Sequence, residues 1–172
     1  MMKRALLLCG TAALLAGCGD RHEDIQKEMA AYQASVDAAA ATNLKAGKDY
    51  LAKVAKEPGI ITLPSGLMYK VVANPDPTAP QPTVNDTVTV NYEGKLIDGT
   101  TFDSSYERNQ PASFPLNRVV EAWQIGIPLM HKGDTLMLYV PPALGYGEQD
   151  QGAIPPNSVL VFKVQLLGIN GK

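Results

Sequence analysis

Phe102 and Asp103 stand side by side just past a turn dipeptide, an aromatic ring next to a carboxylate in a stretch otherwise rich in apolar strand residues. That pairing fits a greasy pocket with one polar anchor, a form suited to binding and open to catalysis. More rings gather in the same half of the chain. Of its 7 Tyr, 3 Phe and 1 Trp, eight lie between positions 92 and 162: Tyr92, Phe102, Tyr106, Phe114, Trp123, Tyr139, Tyr146 and Phe162. Some of these must be ordinary core, and Tyr139 reads as core or sheet surface. Yet a domain of this size seldom needs so many rings grouped with an acid for packing alone.

Other chemistries find no residues to carry them. The two His are His22, in a polar helical stretch, and His131, which reads as an exposed loop residue. No His/Cys/Asp/Glu spacing suits a zinc site. There is neither a Gly-rich phosphate loop nor a G-x-S-x-G elbow. Ser104 and Ser105 follow Asp103 without an evident His partner, so acyl transfer lacks its base.

The elements that must position the rings are legible. Val88, Val90, Tyr92 and Leu96 alternate with Thr87, Thr89, Asn91, Glu93 and Lys95, the period of a half-buried strand. Asp98-Gly99 supplies two residues tolerant of positive φ for a tight hairpin. Leu67 to Ala73 reads as a short strand, and the Pro-rich NPDPTAPQPT at 74–83 as an extended loop. Further on, Leu136, Leu138 and Val140 alternate, as do Leu160, Phe162, Val164 and Leu166 against Lys163 and Gln165. Between them, Trp123, Ile127 and Met130 share one face of a helix over Glu121 to Met130, which Pro128 should kink or shorten. The fold class is α+β, an antiparallel sheet wrapped around one short helix.

The start of the chain is of another kind. Met1-Met2-Lys3-Arg4 is basic, and Ala5 to Ala16 is an apolar run too short to span a bilayer. It ends in Leu15-Ala16-Gly17-Cys18, which resembles a bacterial lipoprotein signal, in which the Cys is acylated and becomes the new N-terminus. Gly19 follows where inner-membrane retention would favour Asp, so by resemblance to enterobacterial sorting the expected site is the outer membrane, facing the periplasm. Without residues 1–17 the chain carries 17 acidic residues against 13 basic ones, a balance that offers nothing to nucleic acid. The expected organisation is a signal peptide at 1–17, a helical arm at 18–57, a strand and Pro-rich linker at 58–83, and the ring-bearing domain at 84–172. In the arm, Ile25, Met29, Tyr32, Val36 and Ala39 fall on one helical stripe. The pattern suits first a solvated spacer and, as the alternative, a seam for a homodimer. Asn43 and Gly47 weaken the helix midway, a second piece is expected from Leu44 to Lys56, and Glu57-Pro58-Gly59 ends it.

Four segments in order, VNYEGKLIDGTTFDSS, FPLNRVVEAW, VPPALGYGE and GAIPPNSVLVFKVQLL, closely resemble the FKBP-type peptidyl-prolyl cis-trans isomerases. The preceding NLKAGKDYLAKVAKEPGIITLPSGLMYKVV is similar to the linker of the Mip-like bacterial branch, whose members join a helical dimerisation region to such a domain. The resemblance implies a pocket with Trp123 as floor and Tyr92, Phe102 and Phe162 as walls. Tyr146 and the backbone near Val120 would hydrogen-bond a peptide or a macrolide inhibitor. Asp103 also belongs to this catalytic set, and Phe114, Val119, Val120 and Ile154 complete the binding surface. Two departures, Ala122 before the Trp and Ala153 before Ile154, should alter the pocket's shape. The implied substrates are proline-containing, unfolded or partly folded polypeptides exported to the cell envelope, and the implied membrane contact is the acyl group on Cys18. No cofactor is called for, because turning an X-Pro amide makes and breaks no bond.

Overall fold

The computed structural model describes residues 19–171, so Cys18 and the segment before it lie outside the described residues. The chain divides into two compact units, residues 1–36 and 37–172. Helix α1 (Gly19–Val54) supplies the described part of the first and leads into the second. In the first unit Ile25, Met29 and Tyr32 are exposed.

The second unit is built on one antiparallel sheet. Its strands are β1 (Ile60–Thr62), β2 (Met68–Ala73), β3 (Thr87–Leu96), β4 (Thr101–Ser104), β5 (Ala112–Pro115), β6 (Thr135–Val140) and β7 (Leu160–Ile169). They lie in the order β1-β2-β6-β7-β3-β4, with β5 also paired to β3. The expected alternation is seen: Val88, Val90 and Tyr92 of β3 and Leu160, Phe162, Val164 and Leu166 of β7 are buried. Their inward faces meet α2 (Glu121–Gly126), the one short helix of this unit. Pro128 shortens it as expected, because a proline lacks the N–H that would continue the ladder. The chain tightens at once into a 3-10 turn at Ile127–Leu129. Gly126 lets the helix close onto the sheet, since a Cβ there would sit 3.0 Å from the Leu138 side chain.

The β3–β4 hairpin forms where Asp98-Gly99 marked it, by a division of labour. Only Gly99 takes positive φ, at 91°. Asp98 instead accepts the Thr100 N–H on its carboxylate at 2.8 Å, the side-chain mimic of a backbone turn.

Two expectations are corrected. α1 runs unbroken through Asn43 and Gly47, with no second piece beginning at Leu44. Both residues serve the packing of the second unit instead. Asn43 donates its side-chain amide to the Pro156 carbonyl at 3.0 Å. A Cβ on Gly47 would lie 2.6 Å from Val159 Cγ2, so the glycine allows a close approach. In this part of α1 the Tyr50 ring also stands 6.4 Å from that of Tyr139 on β6. His131, expected to be exposed, is half-buried, and its backbone N–H donates to the buried Asp134 carboxylate at 2.8 Å.

Candidate active site

The sheet and α2 converge on Trp123. Its indole is 4% exposed, and three rings meet it edge to face: Tyr92 at 5.3 Å, Phe162 at 5.5 Å and Phe114 at 5.7 Å between centroids. Phe102 stands against Phe162 at 5.6 Å and 88°. Each such pair contributes about 0.5–1.5 kcal/mol beyond the area it buries, so the five rings brace one another. Strand pairing accounts for the assembly. Gly94 of β3 lies opposite Asp103 of β4 on one side and opposite Phe162 of β7 on the other. Phe102, the residue before Asp103, and Phe162 then close over Gly94, where a Cβ would fall within 2.9 Å of both rings.

Above the rings opens a cavity of about 330 Å³. Trp123, Tyr92, Phe102, Phe114 and Phe162 line it together with Asp103, Val119, Val120 and Tyr146, nine of the ten positions singled out from the sequence. Ile154 does not line it; it is 6% exposed and packs in the core. The cavity gains Arg118, which sequence reasoning passed over.

Asp103 is held from two sides. Tyr92 donates its hydroxyl to one carboxylate oxygen and Arg108 its guanidinium to the other. Arg108 also donates to the Tyr92 hydroxyl at 2.9 Å, with its guanidinium carbon 5.7 Å from the centre of that ring. Burial pushes the Asp103 carboxyl up, but the hydrogen bonds from Tyr92 and Arg108 and the Arg108 charge outweigh it. The net result is a carboxyl held below its ordinary range, charged and occupied. Burial, and after it the hydrogen bond to Asp103, pushes the Tyr92 hydroxyl up, so it stays a neutral donor. Arg108 was missed because its only sequence signal is a cation five residues after the acid, in a turn whose path decides everything.

Ser105, which the sequence left without a His partner, is fully buried; its N–H donates to the Tyr92 carbonyl at 2.9 Å and its Oγ accepts from the Tyr92 N–H at 2.8 Å. It fastens β4 to β3. The Tyr146 hydroxyl and the Val120 N–H are different, polar groups at the cavity that remain able to meet a ligand. The Val120 carbonyl accepts from Trp123 N–H at 2.9 Å and Gln124 N–H at 3.3 Å, which turns α2 away from the Val120 amide. Among the described residues, no cluster of three or more His, Cys, Asp or Glu gathers to hold a metal.

The family model for FKBP-type peptidyl-prolyl cis-trans isomerase matches residues 79–167, and that for the domain amino-terminal to it matches residues 2–71. The chain is 47% identical over 131 residues to the peptidyl-prolyl cis-trans isomerase Mip of Coxiella burnetii, an alignment covering 76% of this chain and 56% of that protein. It is 39% identical over 142 residues to the outer membrane protein MIP of Legionella longbeachae, covering 82% and 60% respectively. Among solved structures, the crystal structure of FkpA from Escherichia coli superposes with a TM-score of 0.78 at 41% identity, covering 89% of this chain and 74% of that one. The chain spans about half the length of the curated relatives it matches.

Proposed function

This chain belongs to the FKBP-type peptidyl-prolyl cis-trans isomerases, and we propose that its ring-lined cavity isomerises X-Pro bonds of polypeptides in the bacterial cell envelope. The observation that carries this reading is the braced aromatic floor, a preshaped apolar seat for a prolyl ring with one charged and already satisfied carboxylate at its edge.

An X-Pro bond turns over a barrier of about 18–20 kcal/mol, because rotation destroys amide resonance. A rate gain of roughly 10⁴ asks the protein for about 5.5 kcal/mol of preferential binding to the twisted amide. The planar amide is the more dipolar form. Seating the proline against Phe102, Trp123 and Phe162 strips water from the planar state at a greater cost than from the twisted one. Tyr146 and the Val120 N–H hold the peptide's carbonyls on either side of the turning bond. Asp103, with both oxygens occupied, orients dipoles around the twisting carbonyl and passes no proton. Ile154 supports the seat from the core. A macrolide presenting a proline-like ring would compete for the same space.

The test is cis-to-trans isomerisation of short X-Pro peptides by the full chain, with Phe102→Ala as comparison. Loss of one wall should lower kcat/KM by tenfold or more, about 1.4 kcal/mol in the barrier. A folded Phe102→Ala chain with undiminished rate would remove catalysis from this cavity.

For location, the Legionella longbeachae relative is named an outer membrane protein. Among the described residues no helix is long and apolar enough to cross a membrane. Attachment through acyl chains on Cys18 fits the name of that relative, since two or more chains anchor stably where one does so marginally. Cys18→Ser should then move the chain from the membrane fraction to the soluble one; retention in the membrane would reject this anchor.

A further inference from the structure

One cation at the cavity belongs neither to the aromatic floor nor to the Asp103–Arg108 pair. Arg118 ends a 3-10 turn, Leu116–Arg118, pinned by the fully buried Leu116. Val119 follows in extended conformation, and Val120 caps the start of α2. Arg118 is exposed and lines the cavity. No ion pair or hydrogen bond engages its guanidinium among the described residues, Glu121 three positions on included.

The charge balance around the cavity makes this matter. Among the described residues Asp103 is the one carboxylate on the lining, and Arg108 pairs with it. Those two charges cancel locally, which leaves Arg118 as the uncompensated charge facing whatever enters. A planar guanidinium suits a carboxylate especially well, because its donors match both oxygens at once. Building on the isomerase reading, we propose that Arg118 determines specificity by favouring X-Pro segments with a carboxylate side chain next to the proline.

The wider field of the molecule runs the other way, with 17 acidic residues against 15 basic ones. Selection by Arg118 therefore acts at short range, after the prolyl ring is seated, and salt weakens it over a screening length of about 8–10 Å. An exposed pair of this kind is worth little in absolute terms, and the discrimination it supports is about two- to fivefold.

The experiment measures kcat/KM of the full chain on two peptide series, Ala-Xaa-Pro-Phe and Ala-Pro-Xaa-Phe, with Glu, Gln and Lys at Xaa. Glu and Gln share shape and differ in charge, so their ratio reports the interaction. It is also independent of how much of a preparation is folded. At low salt the ratio should be about two- to fivefold in favour of Glu in at least one series. It should fall towards one in Arg118→Gln and at high salt, and Lys should overtake Glu in Arg118→Glu. A Glu/Gln ratio unmoved by both substitutions in both series would overturn the proposal. No acceleration of any peptide by the wild-type chain would instead sink the isomerase reading beneath it.

Discussion

The cavity's floor and its rim are made by different physics. The floor is rings on strands and a helix: Trp123 at 4% exposure, Phe162 at 4%, both fixed by strand register and edge-to-face contact. The rim is the Asp103–Arg108 pair, whose side chains are 41% and 50% exposed, held by hydrogen bonds that a bound peptide and salt both reach. Tyr92 belongs to both, its ring to the floor and its hydroxyl to the rim. Burial makes the floor expensive to disturb, while solvent makes the rim cheap to alter. Shape therefore resides in the floor, and discrimination between substrates is free to vary at the rim.

The floor should break most easily at the one residue with no side chain. Gly94 has ordinary φ, so alanine fits its backbone, and at an open position Gly→Ala stabilises by roughly 0.4–1 kcal/mol. Here the new methyl would lie 2.6 Å from Phe102 Cζ and 2.9 Å from Phe162 Cε1. Both rings must shift, and overpacking of this kind costs about 1–3 kcal/mol. Gly94→Ala should thus lower the urea midpoint and depress isomerisation of every X-Pro peptide alike, the seat itself being displaced. A variant of equal or higher midpoint would show that the floor yields, and would erase the contrast with the rim.

The same division explains what could be read in advance. Strand alternation at Val88, Val90 and Tyr92, the Asp98-Gly99 hairpin and the shortening effect of Pro128 are local rules, and the molecule obeys them. Nine of the ten pocket positions followed from motif resemblance laid over that pattern, since strand register carries the rings wherever the strands go. What escaped was set by distant partners. Asn43 and Gly47 look like helix breakers until Pro156 and Val159 are beside them, more than a hundred positions away. Ile154 keeps its apolar character but spends it in the core. Arg108 and Arg118 sit in turns, where no periodicity says which way a long cationic side chain will point. The floor was legible because burial leaves a repeating mark in the sequence; of the rim, Asp103 and Tyr92 were legible and the cations in the turns were not.

Tyr92 allows the two regions to be separated in one residue. Tyr92→Phe keeps the ring that meets Trp123 and removes the hydroxyl that donates to Asp103 and accepts from Arg108. The expected loss is about 0.5–1.5 kcal/mol, the range for one net hydrogen bond, towards the lower end because the rim is half-exposed. Its pH dependence has a definite sign. Asp103 is held below its ordinary carboxylate range, so the folded state binds its proton less tightly than the unfolded chain does. The stability this contributes is present above the unfolded carboxyl's value of about 3.9 and is lost as pH falls through the lower, folded one. The hydrogen bond from Tyr92 is the foremost of the effects that lower Asp103. Removing it brings the folded and unfolded carboxyls closer together. The stability gap between wild type and Tyr92→Phe should therefore be widest at pH 5–8 and narrow towards pH 3, as read from urea midpoints across that range. A gap of constant size would mean that the lost hydroxyl acted through packing, and the rim would then be an extension of the floor.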